Sequence, residues 1–211
     1  TGCAISGNRA DNGGGIFQGF APLIMTNSTV SGNNTTFQAS GVNIQDATAT
    51  LTNCTISGNI SQSSQGGIAN LLYYRTTSTL ALINCTITNN TSVAPFGAVW
   101  TDSGNTDPNA RVTTTLKNTL VFNNGGGNFA TNVDQIALPQ FILSSLGNNL
   151  DSDGTSGFTN GVNGDIVGTI VNPIVALLEP LGNYGGPTQT HALRPGSPAI
   201  NAGTNRGAPS A

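Results

Sequence analysis

Asn53-Cys-Thr-Ile-Ser-Gly-Asn59 decides the fold, because the chain repeats the phrase in five places. The versions are Cys3-Ala-Ile-Ser-Gly-Asn8, Ser28-Thr-Val-Ser-Gly-Asn33, Cys54-Thr-Ile-Ser-Gly-Asn59, Cys85-Thr-Ile-Thr-Asn-Asn90 and Thr119-Leu-Val-Phe-Asn-Asn124. Their closing Asn residues lie 25, 26, 31 and 34 positions apart. Self-similarity at a period of roughly 20–50 residues marks stacked supersecondary units. Two weaker signals keep step with the phrase. One is Gly followed by a small or apolar residue, at Gly15-Ile16, Gly41-Val42, Gly67-Ile68 and Gly97-Ala98. The other is an apolar residue two before Asn, at Met25-Thr-Asn27, Leu51-Thr-Asn53, Leu82-Ile-Asn84 and Leu116-Lys-Asn118.

Within the phrase the alternation has period two, the mark of a strand. Cys54 and Ile56 share one face, Thr55 and Ser57 the other. Stacking the coils at the usual strand spacing of about 4.8 Å lines up Ile5, Val30, Ile56, Ile87 and Val121 in an aliphatic column. It also predicts two Asn ladders, one of Asn27, Asn53, Asn84 and Asn118, the other of Asn8, Asn33, Asn59, Asn90 and Asn124. Such ladders satisfy corner backbone groups, and Asn tolerates the left-handed conformation that corners need. Helical periodicity is nearly absent; Ile174–Glu179 is the best segment and is short. The expected fold is all-β: a right-handed parallel β-helix of about five three-stranded coils over residues 1–146, with a Pro/Gly-rich, non-repeating segment over 147–211.

Solubility must come from amides and hydroxyls, since charged residues are 7% of the chain and it holds 27 Asn and 28 Thr. Net charge is −3 with six basic residues, which leaves no stripe to neutralise phosphates and argues against nucleic acid. No apolar run approaches the roughly 20 residues of a membrane helix. Three Cys cannot all pair within one chain.

The phrase resembles the parallel β-helix repeats of bacterial surface proteins and pectate-lyase-like solenoids. The tail is more specific. Leu181-Gly-Asn-Tyr-Gly-Gly-Pro-Thr-Gln-Thr-His-Ala-Leu-Arg-Pro-Gly-Ser-Pro-Ala-Ile-Asn-Ala-Gly203 resembles the end of choice-of-anchor Q domain proteins, as does Leu146-Gly-Asn-Asn-Leu-Asp-Ser-Asp-Gly154. The resemblance implies a secreted or surface-attached bacterial protein and no defined activity. The chain opens at the first phrase strand without a Met, so the expectation is that an upstream segment was removed, or that another subunit covers the open coil by end-to-end stacking into a filament.

Candidate sites follow from where the repeat departs from itself. The link after the Gly strand lengthens from 9 residues (16 to 25) to 18 (98 to 116). The longer links carry Tyr73, Tyr74, Arg75 and Trp100, a candidate patch for polysaccharide or subunit contact. Asp46, Asp102 and Asp134 fall in roughly one register. Asp102 and Asp134 are the pair an acid/base polysaccharide lyase or glycosidase would use, against the simpler reading of Asp as a turn former. Asp151, Asp153 and Asp165 are candidate Ca²⁺ ligands, without the closing Glu or flanking helices of an EF-hand. Asn34 and Asn59 are candidate glycosylation acceptors. The Cys54/Cys85 register reads as small inward residues. His191, the only His, has no nucleophile-elbow motif beside it. The favoured function is a non-enzymatic extracellular structural or adhesive solenoid; the alternative is a carbohydrate-active enzyme or a monomeric polysaccharide-binding module.

Overall fold

The computed structural model describes residues 1–93, 96–131 and 140–205. The chain winds as a parallel β-solenoid. The first coil is Ala4–Ser6 (β1), Arg9–Asn12 (β2), Ile16–Gly19 (β3) and Leu23–Thr26 (β4). The second is Thr29–Ser31 (β5), Asn34–Gln38 (β6), Val42–Gln45 (β7) and Thr48–Thr52 (β8). The third is Thr55–Ser57 (β9), Ile60–Ser61 (β10), Ile68–Leu72 (β11) and Thr77–Ile83 (β12). The fourth is Thr86–Thr88 (β13), Thr91–Ser92 (β14), Val99–Ser103 (β15) and Arg111–Lys117 (β16). A fifth turn keeps Leu120–Phe122 (β17), Phe129–Thr131 (β18) and Gln140–Ser145 (β19), and Leu150–Asp151 (β20) and Ile166–Val167 (β21) follow. About four turns are thus complete, with partial coils beyond them, and no α-helix occurs among the described residues.

Like strands stack into four sheets. Sheet 1 is β1-β5-β9-β13-β17-β20-β21, sheet 2 is β2-β6-β10-β14, sheet 3 is β3-β7-β11-β15-β18, and sheet 4 is β4-β8-β12-β16-β19. Each of the first four coils therefore has a fourth strand beyond the three that the sequence suggested. It follows the phrase Asn directly, and Asn34, Ile60 and Thr91 each donate an amide to the preceding coil at 2.8–2.9 Å. These segments are two to five residues long and mostly polar, too short to show alternation. In the fifth turn Gly125-Gly126-Gly127 occupies the place and no strand forms.

The aliphatic column stands as expected, Ile5↔Val30↔Ile56↔Ile87↔Val121. Two more apolar columns face it from the other sheets, Ile16↔Val42↔Ile68↔Val99↔Phe129 and Met25↔Leu51↔Leu82↔Leu116. Together they form the core. The fourth-coil register differs by one residue from the Gly-apolar alignment: Ile68 pairs Val99, not Ala98. The bulky β-branched residue takes the interior position, and Gly97 becomes an extra left-handed corner at φ 65°. The interior also holds a polar island. Asn70 donates to Thr114 Oγ1 at 3.1 Å and accepts from Ser78 at 2.7 Å, and the Thr101 and Thr114 hydroxyls lie 3.0 Å apart.

Both Asn ladders are present. Asn33, Asn59, Asn90 and Asn124 each accept the backbone N–H of the Asn one coil earlier through Oδ1 at 3.0–3.1 Å. Asn53, Asn84 and Asn118 donate Nδ2 to the Oδ1 below at 2.9–3.1 Å, with φ of 49–53°.

The C-terminal segment is a strap. It turns back on itself through antiparallel bridges Leu178↔Leu193 and Gly182↔Thr190 and lies over the outer face of sheet 1. Thr29 Oγ1 donates to the Gln189 carbonyl, Thr188 Oγ1 donates to Asn27 O at 3.2 Å, and the Thr55 and Thr190 hydroxyls are 3.0 Å apart. Further along, Asn118 Nδ2 donates to Thr204 O at 2.7 Å and Asn148 Nδ2 to Ala202 O at 2.8 Å, so strap backbone ends the second Asn ladder.

Candidate functional site

The first candidate surface is a ridge on the corner between sheets 3 and 4. It begins at equivalent left-handed corner residues, Phe20 (φ 63°) and Asp46 (φ 53°). Asp46 is buried, and its Oδ1 accepts three consecutive amides, Tyr73 N at 2.8 Å, Tyr74 N at 2.9 Å and Arg75 N at 3.1 Å. One carboxylate of the second coil thereby shapes the insertion of the third. The insertion of the fourth coil leans on it in turn, as Asn105 Nδ2 donates to Arg75 O at 2.6 Å. The two insertions thus emerge side by side.

The side chains on this ridge are held rather than loose. Tyr74, 75% exposed, packs against Phe20 and Tyr73 with ring centroids 6.1 and 6.3 Å apart. The Arg75 guanidinium sits 5.6 Å over the Phe20 ring, a cation–π contact. Tyr73 is half-buried; burial, followed by the charge of Asp102, pushes its phenol up from its ordinary value. Trp100 lies elsewhere. It is buried in a small outer core on sheet 3 with Ala39, Ala69 and Leu71, its ring meeting Phe96 edge-on at 5.0 Å. Of the four aromatic and cationic residues picked from sequence, Tyr73, Tyr74 and Arg75 come together and Trp100 does not join their exposed face.

The acids are spread out. Asp102 Oδ1 accepts Ser103 N at 2.7 Å, and Asp134 lies outside the described residues. Asp151 takes the place in the aliphatic column after Val121. Its carboxylate accepts Asn128 Nδ2 at 2.7 Å and Ser156 N at 2.9 Å, and burial raises its pKa. Asp153 accepts Asn128 N, Thr155 N and Thr155 Oγ1 at 2.6–3.1 Å. Asp165 Oδ1 accepts Asn149 N at 2.8 Å, ending the register that runs Cys3, Ser28, Cys54, Cys85, Thr119, Asn149. These carboxylates staple turns, and among the described residues no cluster of three or more His, Cys, Asp or Glu gathers to hold a metal. Within that register the thiols are free. Cys54 Sγ donates to Thr52 O at 3.3 Å and Cys85 Sγ to Leu51 O at 3.4 Å, and burial pushes the Cys85 thiol well up. Asn34 is half-buried, whereas Asn59 is wholly buried with its amide given to Val30 O and Asn90 Oδ1.

The second candidate surface was not visible in the repeat. Under the strap, Ser57 Oγ meets His191 Nε2 at 2.8 Å, and His191 Nδ1 lies 2.7 Å from Glu179 O. A carbonyl only accepts, so Nδ1 carries a proton, and in the neutral imidazole Nε2 then accepts the serine hydroxyl. Beside this tie runs a trough of about 860 Å³ between sheet 1 and the strap. The sequence did carry a signal for the strap. The outward residue of the phrase changes from Thr29, Thr55 and Thr86 to Leu120, Leu150 and Ile166. Those outward apolar residues pack under Ala176, Leu178 and Ala199 of the strap.

Compared with known proteins, the chain matches no family model, no curated protein and no solved structure. No helix among the described residues is long and apolar enough to cross a membrane.

Proposed function

We propose that the chain is a non-enzymatic adhesive solenoid of the extracellular surface, of the bacterial class its tail resembles, and that it holds polysaccharide through the Phe20–Tyr74–Arg75 ridge. The carrying observation is the three-amide clamp by Asp46, which fixes the backbone that carries the exposed Tyr74 and Arg75 before any partner arrives. A rigid aromatic face supplies contact area at low entropic cost, as sugar-ring stacking requires. The rest of the wall is amide- and hydroxyl-rich with few charges, which suits a surface that meets neutral polymers.

The test is co-sedimentation with insoluble polysaccharides, alongside a glycan array. Tyr74→Ala and Arg75→Ala should each lower retention, and Asp46→Ala should do so without touching a contact residue, by releasing the loop. Retention unchanged in all three variants sinks the ridge. Lyase and hydrolase assays on acidic polysaccharides form the enzymatic arm: turnover that disappears in Asp102→Asn would replace the adhesive reading with a catalytic one.

A further inference from the structure

We propose that the trough between sheet 1 and the strap is a second ligand site, which takes an unbranched neutral glycan laid along the solenoid axis. It borrows its ligand class from the adhesive reading above, while its location and its residues are separate from the ridge.

The direction comes from register. One wall of the trough is a single row, Ser6↔Ser31↔Ser57↔Thr88↔Phe122, drawn from five successive coils. At about 4.8 Å per coil the row is about 19 Å long. The next residue in each coil is a corner, glycine in the first three and Asn89 and Asn123 in the last two. A Cβ at Gly7 or Gly32 would meet nothing within 4 Å, so the trough is open beside the early corners. Ser31, Ser57 and Thr88 are buried within this row, so what repeats along the axis at the exposed edge is the line of corners beside it, and a repeating edge fits a ligand that repeats too.

The lining agrees with that ligand class. The Asn89 and Asn123 amides are exposed, and Asn123 Nδ2 donates to Asn89 Oδ1 at 2.7 Å. Amides offer donor and acceptor together, and so does a sugar hydroxyl. Phe122 gives an aromatic ring at one end of the row. On the strap side the one cation, Arg194, lies 3.6 Å from the one carboxylate, Glu179. The lining thus carries one charge of each sign, which selects neither an anion nor a cation. Ser57 and His191 are buried and bound to each other. They set the strap's height above the sheet and are positioning residues here, not ligand contacts.

Isothermal titration of the intact protein with linear neutral oligosaccharides, from disaccharide to hexasaccharide, tests this. Affinity should rise with length and then level off once the chain outgrows the trough. The double variant Asn89→Gly, Asn123→Gly installs the residue that this corner already carries at Gly7, Gly32 and Gly58, so the fold is kept. It should weaken binding about tenfold, the scale of two net hydrogen bonds, and Arg194→Gln should weaken it further. Binding that survives Tyr74→Ala but falls in the double variant supports the trough and retires the ridge. Loss in Tyr74→Ala with full affinity in the double variant overturns the trough and leaves the ridge standing. Absence of any titration by the whole series overturns the trough as well.

Discussion

Asn59 uses every polar group it owns. Its Nδ2 donates to Val30 O at 3.0 Å and Asn90 Oδ1 at 2.8 Å, while its Oδ1 accepts both the backbone N–H and the Nδ2 of Asn33 at 2.9–3.0 Å. Asn59→Ala would strand several buried partners at once, and a destabilisation of about 3 kcal/mol is expected by urea unfolding. Asn8, at the exposed end of the same ladder, loses one side-chain bond to Asn33. Asn8→Ala should cost under about 1 kcal/mol, and equal costs would mean that the ladder is not what stabilises the corner. The ladder was legible because Asn recurs at one place in every phrase. Asp151 was not, because the period-two rule puts an aliphatic residue where the chain buries a carboxyl. Burial raises its pKa above the ordinary 3.8, so the folded state holds the proton more tightly than the unfolded state. Its contribution to stability is therefore full at pH below 3.8 and is lost as pH rises through the raised value. Urea midpoints measured from acid to neutral pH should show that fall in the wild type and a flatter profile in Asp151→Asn; matching profiles would refute the assignment.

At the scale of the strand, the Gly that opens sheet 3 has a packing cause. A Cβ on Gly15 would lie 2.6 Å from Gly41 O, and one on Gly41 would lie 2.5 Å from Gly67 O. In the first three coils the stacking at this corner is too close for any side chain. Gly32 is glycine for a different reason: its φ is +62° and a Cβ there would touch nothing. Gly41→Ala should therefore cost well over the roughly 1–2 kcal/mol expected of a left-handed Ala at Gly32. Thermal denaturation of the two variants separates the causes, and a Gly41→Ala protein as stable as Gly32→Ala would show that the backbone can shift. The sequence marked this glycine in coils one to three but misplaced the fourth, where Ala98 stands in its register beside Val99. The same one-residue offset decides Trp100. It sits on the outer face of β15 beside Ala69, and small neighbours let Phe96 close over it. Composition shows an aromatic in a long link; only coil alignment shows which way it faces.

At the scale of the whole molecule, a solenoid is quasi-one-dimensional, each coil resting on its neighbours alone. The strap breaks that rule. It leaves the last coils and reaches the second and third, where Gln189, Thr190 and His191 meet Thr29, Thr55 and Ser57. The apolar outer face of β17, β20 and β21 anchors one end of it. Contacts between residues more than 130 positions apart, such as Ser57 with His191, leave no periodic trace, which is why the tail reads only as non-repeating. Their consequence is cooperativity: the middle coils should open together with the strap rather than fray from the first coil inward. In hydrogen exchange of the wild type, the amides of β5 and β9 should share the protection of β13 and β17. His191→Ala combined with Thr190→Val removes two of the ties. The amides of β5 should then exchange ahead of β9, and β9 ahead of β13, in coil order. If the double variant keeps one common exchange rate across all four strands, the strap is a passenger on the sheet and the stacking alone holds the coils together.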